Sequence, residues 1–127
     1  MTKADRTTTK HFQIFKKEAR LWLDRLGLKD YSVYFLHSQD GREDSRAWIE
    51  SDYNGKIASI GLSRDWSGDP VTVKKVRKAA FHEVVHLLLA NLVVLGQERW
   101  TVQGIYGAEE HAIIRRLEAL FYGSGEN

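Results

Sequence analysis

His82-Glu83-Val84-Val85-His86 sets two imidazoles four residues apart, with a carboxylate beside the first, inside a strongly apolar stretch. On a helix, residues at that spacing share a face about one turn apart, so both rings can reach one metal ion. Glu83 projects beside the pair, where a carboxylate can polarise a metal-bound water without coordinating the metal. The chemistry this spacing supports is metal-assisted hydrolysis, with Glu83 as general base.

A lone histidine on an apolar helix face is ordinarily a satisfied core residue. Here three ionisable groups are embedded between Ala79-Ala80-Phe81 and Leu87-Leu88-Leu89. Buried in one helical turn, each needs a partner or carries a heavy desolvation cost. A single cation partners two of them at once.

Composition narrows the chemistry further. The 127 residues suit one domain with a single core. Cysteine is absent, which excludes disulfides, thiolate zinc sites and cysteine catalysis. Histidine and carboxylate remain as ligands, a set that suits catalytic Zn²⁺ better than structural Zn²⁺. Met1 to Thr9 has no apolar core and is no signal peptide. The longest apolar run, Leu87 to Leu95 interrupted by Asn91, falls short of the ~20 residues a membrane span needs. The chain therefore reads as cytoplasmic, with no membrane partner. A net charge of +2 does not call for nucleic acid. The basic groups Lys16, Lys17, Arg20 and Lys74, Lys75, Arg77, Lys78 read as solvated helix faces rather than a phosphate-binding patch.

The elements that must position the motif follow from periodicity. Phe12, Phe15, Ala19, Trp22 and Leu26 recur at the helical period, predicting an amphipathic helix over Lys10 to Leu26 with Gly27 as its cap. Strands are expected at Tyr31 to Leu36, Arg46 to Tyr53 and Lys56 to Leu62, the last two joined by an Asn54-Gly55 hairpin. Asp69-Pro70 reads as the start of the motif helix, which should run through His86 to about Leu95. Gln97 to Gly107 is expected mostly as loop, and a last helix runs from about Ala108 to Tyr122. The expected architecture is α+β: an N-terminal helix, a three-stranded antiparallel sheet, the H-E-x-x-H helix and a C-terminal helix. Residues 1–9 are expected as a flexible arm, 10–122 as one domain and 123–127 as a flexible tail.

With these elements the chain resembles a minimal zincin, and in particular the small phage- and prophage-encoded zinc metallopeptidases, distantly similar to the ImmA/IrrE-type gluzincins. The resemblance covers roughly Tyr31 to Tyr122. It is carried by Tyr53-Asn54-Gly55 entering Ala58-Ser59-Ile60-Gly61-Leu62, by Asp65-Trp66, by Phe81-His82-Glu83-Val84-Val85-His86-Leu87-Leu88-Leu89 and by Glu110-His111-Ala112-Ile113-Ile114-Arg115-Arg116-Leu117-Glu118. It implies a zinc-dependent peptidase acting on a protein or peptide. By the same analogy Lys56–Leu62 would be the strand that pairs with an extended substrate. A metzincin would need Gly at Leu89 and His at Leu92, and no third His matches a SprT-like motif.

The gluzincin likeness takes the third ligand from the final helix, where Glu109, Glu110 and His111 are candidates. Glu110 lies three and four residues before Ile113 and Ile114, and so continues the inward stripe. Glu109 falls nearer the stripe's edge, and His111, in line with Arg115 and Glu118, is expected toward solvent. The expected site is then His82, His86 and Glu110 around Zn²⁺, with Glu83 taking the proton of a bound water. Tyr53, Tyr106 and His111 are all candidates for stabilising the oxyanion. The rival reading is a regulatory or binding protein, one associated with nucleic acid included, that keeps the zinc fold without turnover.

Overall fold

Helix α1 spans Thr9–Arg25 in the computed structural model, which describes residues 4–38, 45–52, 55–90 and 103–123 (side chains excepted at 103–106, 109 and 120). Its N-terminus is closed by a capping box in which the Thr8 hydroxyl accepts from the His11 amide and His11 Nδ1 accepts from the Thr8 amide. At the other end Gly27 sits at φ 73°, with the Leu28 amide bonded to Leu23 O and the Gly27 amide to Asp24 O. That is a Schellman cap, as the glycine and the following leucine predict.

Three strands follow, β1 (Ser32–His37), β2 (Ala47–Asp52) and β3 (Ile57–Leu62). The sheet order is β1-β3-β2, with β3 parallel to β1 and antiparallel to β2. The expected all-antiparallel sheet is therefore corrected to a mixed one. The reason lies in β3: Ala58, Ile60, Gly61 and Leu62 are all buried. A strand buried on both faces belongs in the centre of a sheet, so β1 and β2 flank it instead of pairing with each other. The register places Val33 beside Ala58, Phe35 beside Ile60 and Ile49 beside Ile60, an apolar face turned to the helices. Both neighbours of β3 being occupied, it has no edge to offer an extended peptide. That correction passes the edge position nearer the motif helix to β2.

Helix α2 (Val73–Leu88) carries the motif. Its N-cap is Thr72, whose hydroxyl accepts from the Lys75 amide, so the helix starts later than Asp69-Pro70 suggests. Asp69 is spent on tertiary contacts, accepting from Arg46 Nε at 2.6 Å and Lys75 Nζ at 2.9 Å, and thereby ties the helix start to the entry of β2. The helix ends at Leu88 with its C-cap at Leu89, short of the predicted run to about Leu95, of which the part beyond Ala90 lies outside the described residues. Helix α3 (Gln103–Tyr122) begins earlier than expected, so residues 103–107 are helical. Gly123, at φ 86°, follows it.

Residues 4–7, expected as part of a free arm, run along the segment 64–71. The Thr7 amide donates to Arg64 O, the Trp66 amide to Asp5 O and the Val71 amide to Ala4 O. The helices meet over an aromatic cluster: the Trp22 ring lies 4.7 Å from Phe81 and 5.1 Å from Phe121. Buried Glu18 locks the same junction, accepting from Trp22 Nε1 (2.9 Å), Arg77 Nε (3.0 Å) and the Tyr122 hydroxyl. The end of α3 is thus fixed against α1 and α2, and with it the residue one turn earlier, Glu118. Among the described residues no helix is long and apolar enough to cross a membrane.

Candidate metal centre

On α2 the stripe Val76, Ala80, Val84 and Leu87 is buried in the core, which turns His82 and His86 along the flank that meets α3. Their Nε2 atoms approach to 3.2 Å. His111, on α3, completes the cluster, with ring centroids 4.8 Å from His86 and 5.8 Å from His82. One ligand atom from each of the three lies within 4.8 Å of the others, so the three histidines could hold a metal ion.

The outer nitrogens decide which atoms face inward. His82 Nδ1 lies 2.5 Å from Glu118 Oε2, His86 Nδ1 lies 2.9 Å from Glu110 Oε2, and His111 Nδ1 lies 3.1 Å from Gly107 O. Carboxylate and carbonyl oxygens only accept, so each Nδ1 carries the proton. Each Nε2 then points a lone pair away from its oxygen partner. Carboxylate or carbonyl acceptors on the far nitrogen are the usual support of metal-ligating histidines, fixing tautomer and ring orientation. Nitrogens ~2.0–2.1 Å from a tetrahedral ion lie about 3.3 Å apart. The 3.2 Å between the α2 pair fits that requirement.

Without a cation, a shared proton is the alternative occupant of the gap. Burial pushes both rings toward the neutral form. For His82 the hydrogen bond to Glu118 and the charges of Glu83, Glu118 and Glu110 outweigh burial and raise its pKa. For His86 burial prevails over Glu110, helped by His82 and His111, and its pKa is lowered. Of the two rings His82 therefore holds a proton the more readily, and a metal ion between the Nε2 atoms would displace it.

Glu83 is 7 % exposed and lies beside His82. Burial pushes its carboxyl up to about 7; His82 opposes this, while Glu118 and Glu110 add to it. No hydrogen bond reaches Glu83 among the described residues. A largely buried carboxylate with a raised pKa and no protein donor is the kind of group that concentrates where chemistry needs it. A cleft of about 650 Å³ opens onto His82 and Glu83, walled by Arg46 and Ala47 at the start of β2, by Lys78 on α2 and by Arg115 and Glu118 on α3.

The structure thus places His82, Glu83, His86 and Glu110 near one another and seats Glu110 on the outer nitrogen of His86. The third member of the ion-holding group is His111, half-buried where solvent exposure was expected. Glu118 was overlooked. It lies seven residues after His111 and four after Ile114, on the face that α3 turns inward, and the His82 imidazole is what allows a carboxylate to be buried there. Tyr53 and the side chains of Tyr106 and Glu109 lie outside the described residues. Compared with known protein families, with curated proteins and with solved structures, the chain matches none.

Proposed function

We propose that this chain is a zinc-dependent peptidase of zincin-like organisation, with His82, His86 and His111 as ligands through Nε2 and Glu83 as general base. The observation that carries the reading is the convergence of three imidazoles, each fixed through Nδ1, beside a largely buried carboxylate that opens onto the cleft and that no protein donor reaches. An all-nitrogen set without cysteine suits zinc in a catalytic role. Zinc would supply an acidified water and a Lewis acid for a carbonyl oxygen. Glu83 takes the proton at its carboxylate and returns it to the leaving amine, a task for which a pKa near neutrality is suited. Glu118 and Glu110 hold the rings of His82 and His86 in place. Among the described strands β2 stands at the sheet's edge, and the cleft beside its start offers room for a peptide next to His82.

A protein that only bound zinc would gain nothing from a carboxylate of raised pKa held beside the histidines, which favours turnover over a purely regulatory role. The reading is tested by metal analysis of the purified protein together with a peptide-hydrolysis screen before and after chelation. Close to one zinc per chain, with hydrolysis lost on chelation and restored by zinc, is expected. Hydrolysis indifferent to chelation would refute it.

A further inference from the structure

We propose that Arg115 is a specificity-determining residue that receives a carboxylate of the substrate at the rim of the cleft, so that the preferred peptide is acidic beside the bond cut. The inference rests on the peptidase reading above. Arg115 stands four residues after His111 and three before Glu118, on the face that α3 turns toward α2, and it lines the same cleft as His82 and Glu83. The nearest acid on its own helix, Glu118, is committed to His82. Arg115 is exposed and has no partner among the described residues. A guanidinium presents a planar fork of donors that matches a carboxylate in two parallel hydrogen bonds.

The rest of the rim has the same sign. Arg46 and Lys78 stand on the other walls, while both carboxylates of the cleft, Glu83 and Glu118, are buried in its floor. Arg46 already pairs with Asp69 and Lys78 is also engaged, so their contribution is to the field more than to a contact. A basic substrate side chain would face these cations, whereas an acidic one is drawn to them. The carboxylate can belong to an acidic side chain or to a peptide C-terminus, and the two are separable by experiment.

The test is equilibrium binding, by fluorescence anisotropy, to the zinc-loaded Glu83→Gln chain, which lacks the base and so leaves a peptide intact. Four labelled peptides on one neutral frame are compared: internal glutamates with an amidated end, a neutral peptide with a free C-terminus, a neutral amidated peptide, and internal lysines with an amidated end. At least one of the two carboxylate-bearing peptides should bind about tenfold more tightly than the others, about 1.4 kcal/mol. The preference should shrink with added salt. Adding Arg115→Glu, at an exposed position, should erase it while the circular dichroism and zinc content stay unchanged. Whichever peptide is preferred identifies the source of the carboxylate. Equal affinities, no binding by any of the four, or a preference that survives Arg115→Glu would overturn the proposal. Hydrolysis by the unsubstituted chain is followed in parallel. Metal-dependent cleavage without charge preference defeats this inference alone, and charge-selective binding without cleavage defeats the peptidase reading alone.

Discussion

Glu118 Oε2 lies 2.5 Å from His82 Nδ1, so a carboxylate from the last helix holds the first histidine of the motif from the side opposite Nε2. This contact joins elements 36 residues apart in the chain and turns a pair of helices into a site. Removing it should loosen the ring without removing a ligand. Glu118→Ala is expected to weaken zinc binding about 10–100-fold, the usual cost of losing an outer partner. Competition with a chelator measures this, and unchanged affinity would show that the contact does not orient His82.

His111 and Glu110 are neighbours with different expected costs. His111→Ala removes a proposed ligand, while Glu110→Ala removes the acceptor on His86 Nδ1. The first should abolish stoichiometric zinc, and the second should weaken it about 10–100-fold. If Glu110→Ala instead loses the metal and His111→Ala keeps it, Glu110 is the third ligand.

Glu83 should destabilise the metal-free fold. Its pKa is raised from 4.5 to about 7, so charging it costs stability as pH rises above 4.5, and the cost is complete above about 7. Replacing it by Gln should therefore stabilise the metal-free protein at pH 8 and do little at pH 4. The gain is on the order of 3 kcal/mol at 1.36 kcal/mol for each pH unit. Urea unfolding of both proteins across this range measures it. A gain that does not grow with pH would mean that Glu83 is solvated or paired.

Glu18 works in the opposite direction. Burial alone would raise its pKa, but the hydrogen bonds from Tyr122, Trp22 and Arg77 outweigh burial and lower it below 4.5. Its stabilisation is present above 4.5 and is lost as pH falls through the lower, folded value. Glu18→Gln should flatten the acid limb of the stability curve, with a loss of about 1–3 kcal/mol at pH 7 from the broken network. Equal acid limbs for the two proteins would assign that pH dependence to other carboxylates.

Much of this arrangement is legible in the sequence because it depends on local periodicity. The helical repeat of Phe12, Phe15, Ala19 and Trp22, the cap at Gly27 and the spacing of His82 and His86 are properties of neighbouring residues, and all appear where expected. Strand order is not local. Nothing in β1 or β2 alone says that β3 lies between them; only its two-sided burial does. The placement of His111 failed for a related reason. Glu118 marks its line along α3 as charged, hence outward, and only the pairing of that carboxylate with an imidazole 36 residues away turns the line inward. Likewise Asp69 has the right chemistry for a cap, but Arg46 and Lys75 claim it and the cap passes to Thr72.

In the proposed zinc peptidase Glu83 is the base and not a ligand, and one substitution separates the two roles. Glu83→Gln keeps the shape of the side chain but cannot take a proton from water. The decisive measurement is peptide hydrolysis by this variant, with zinc content determined on the same sample. Close to one zinc per chain and a rate at least about a hundredfold below the unsubstituted protein are expected. A fully active variant, or one that has lost its zinc, would contradict that role.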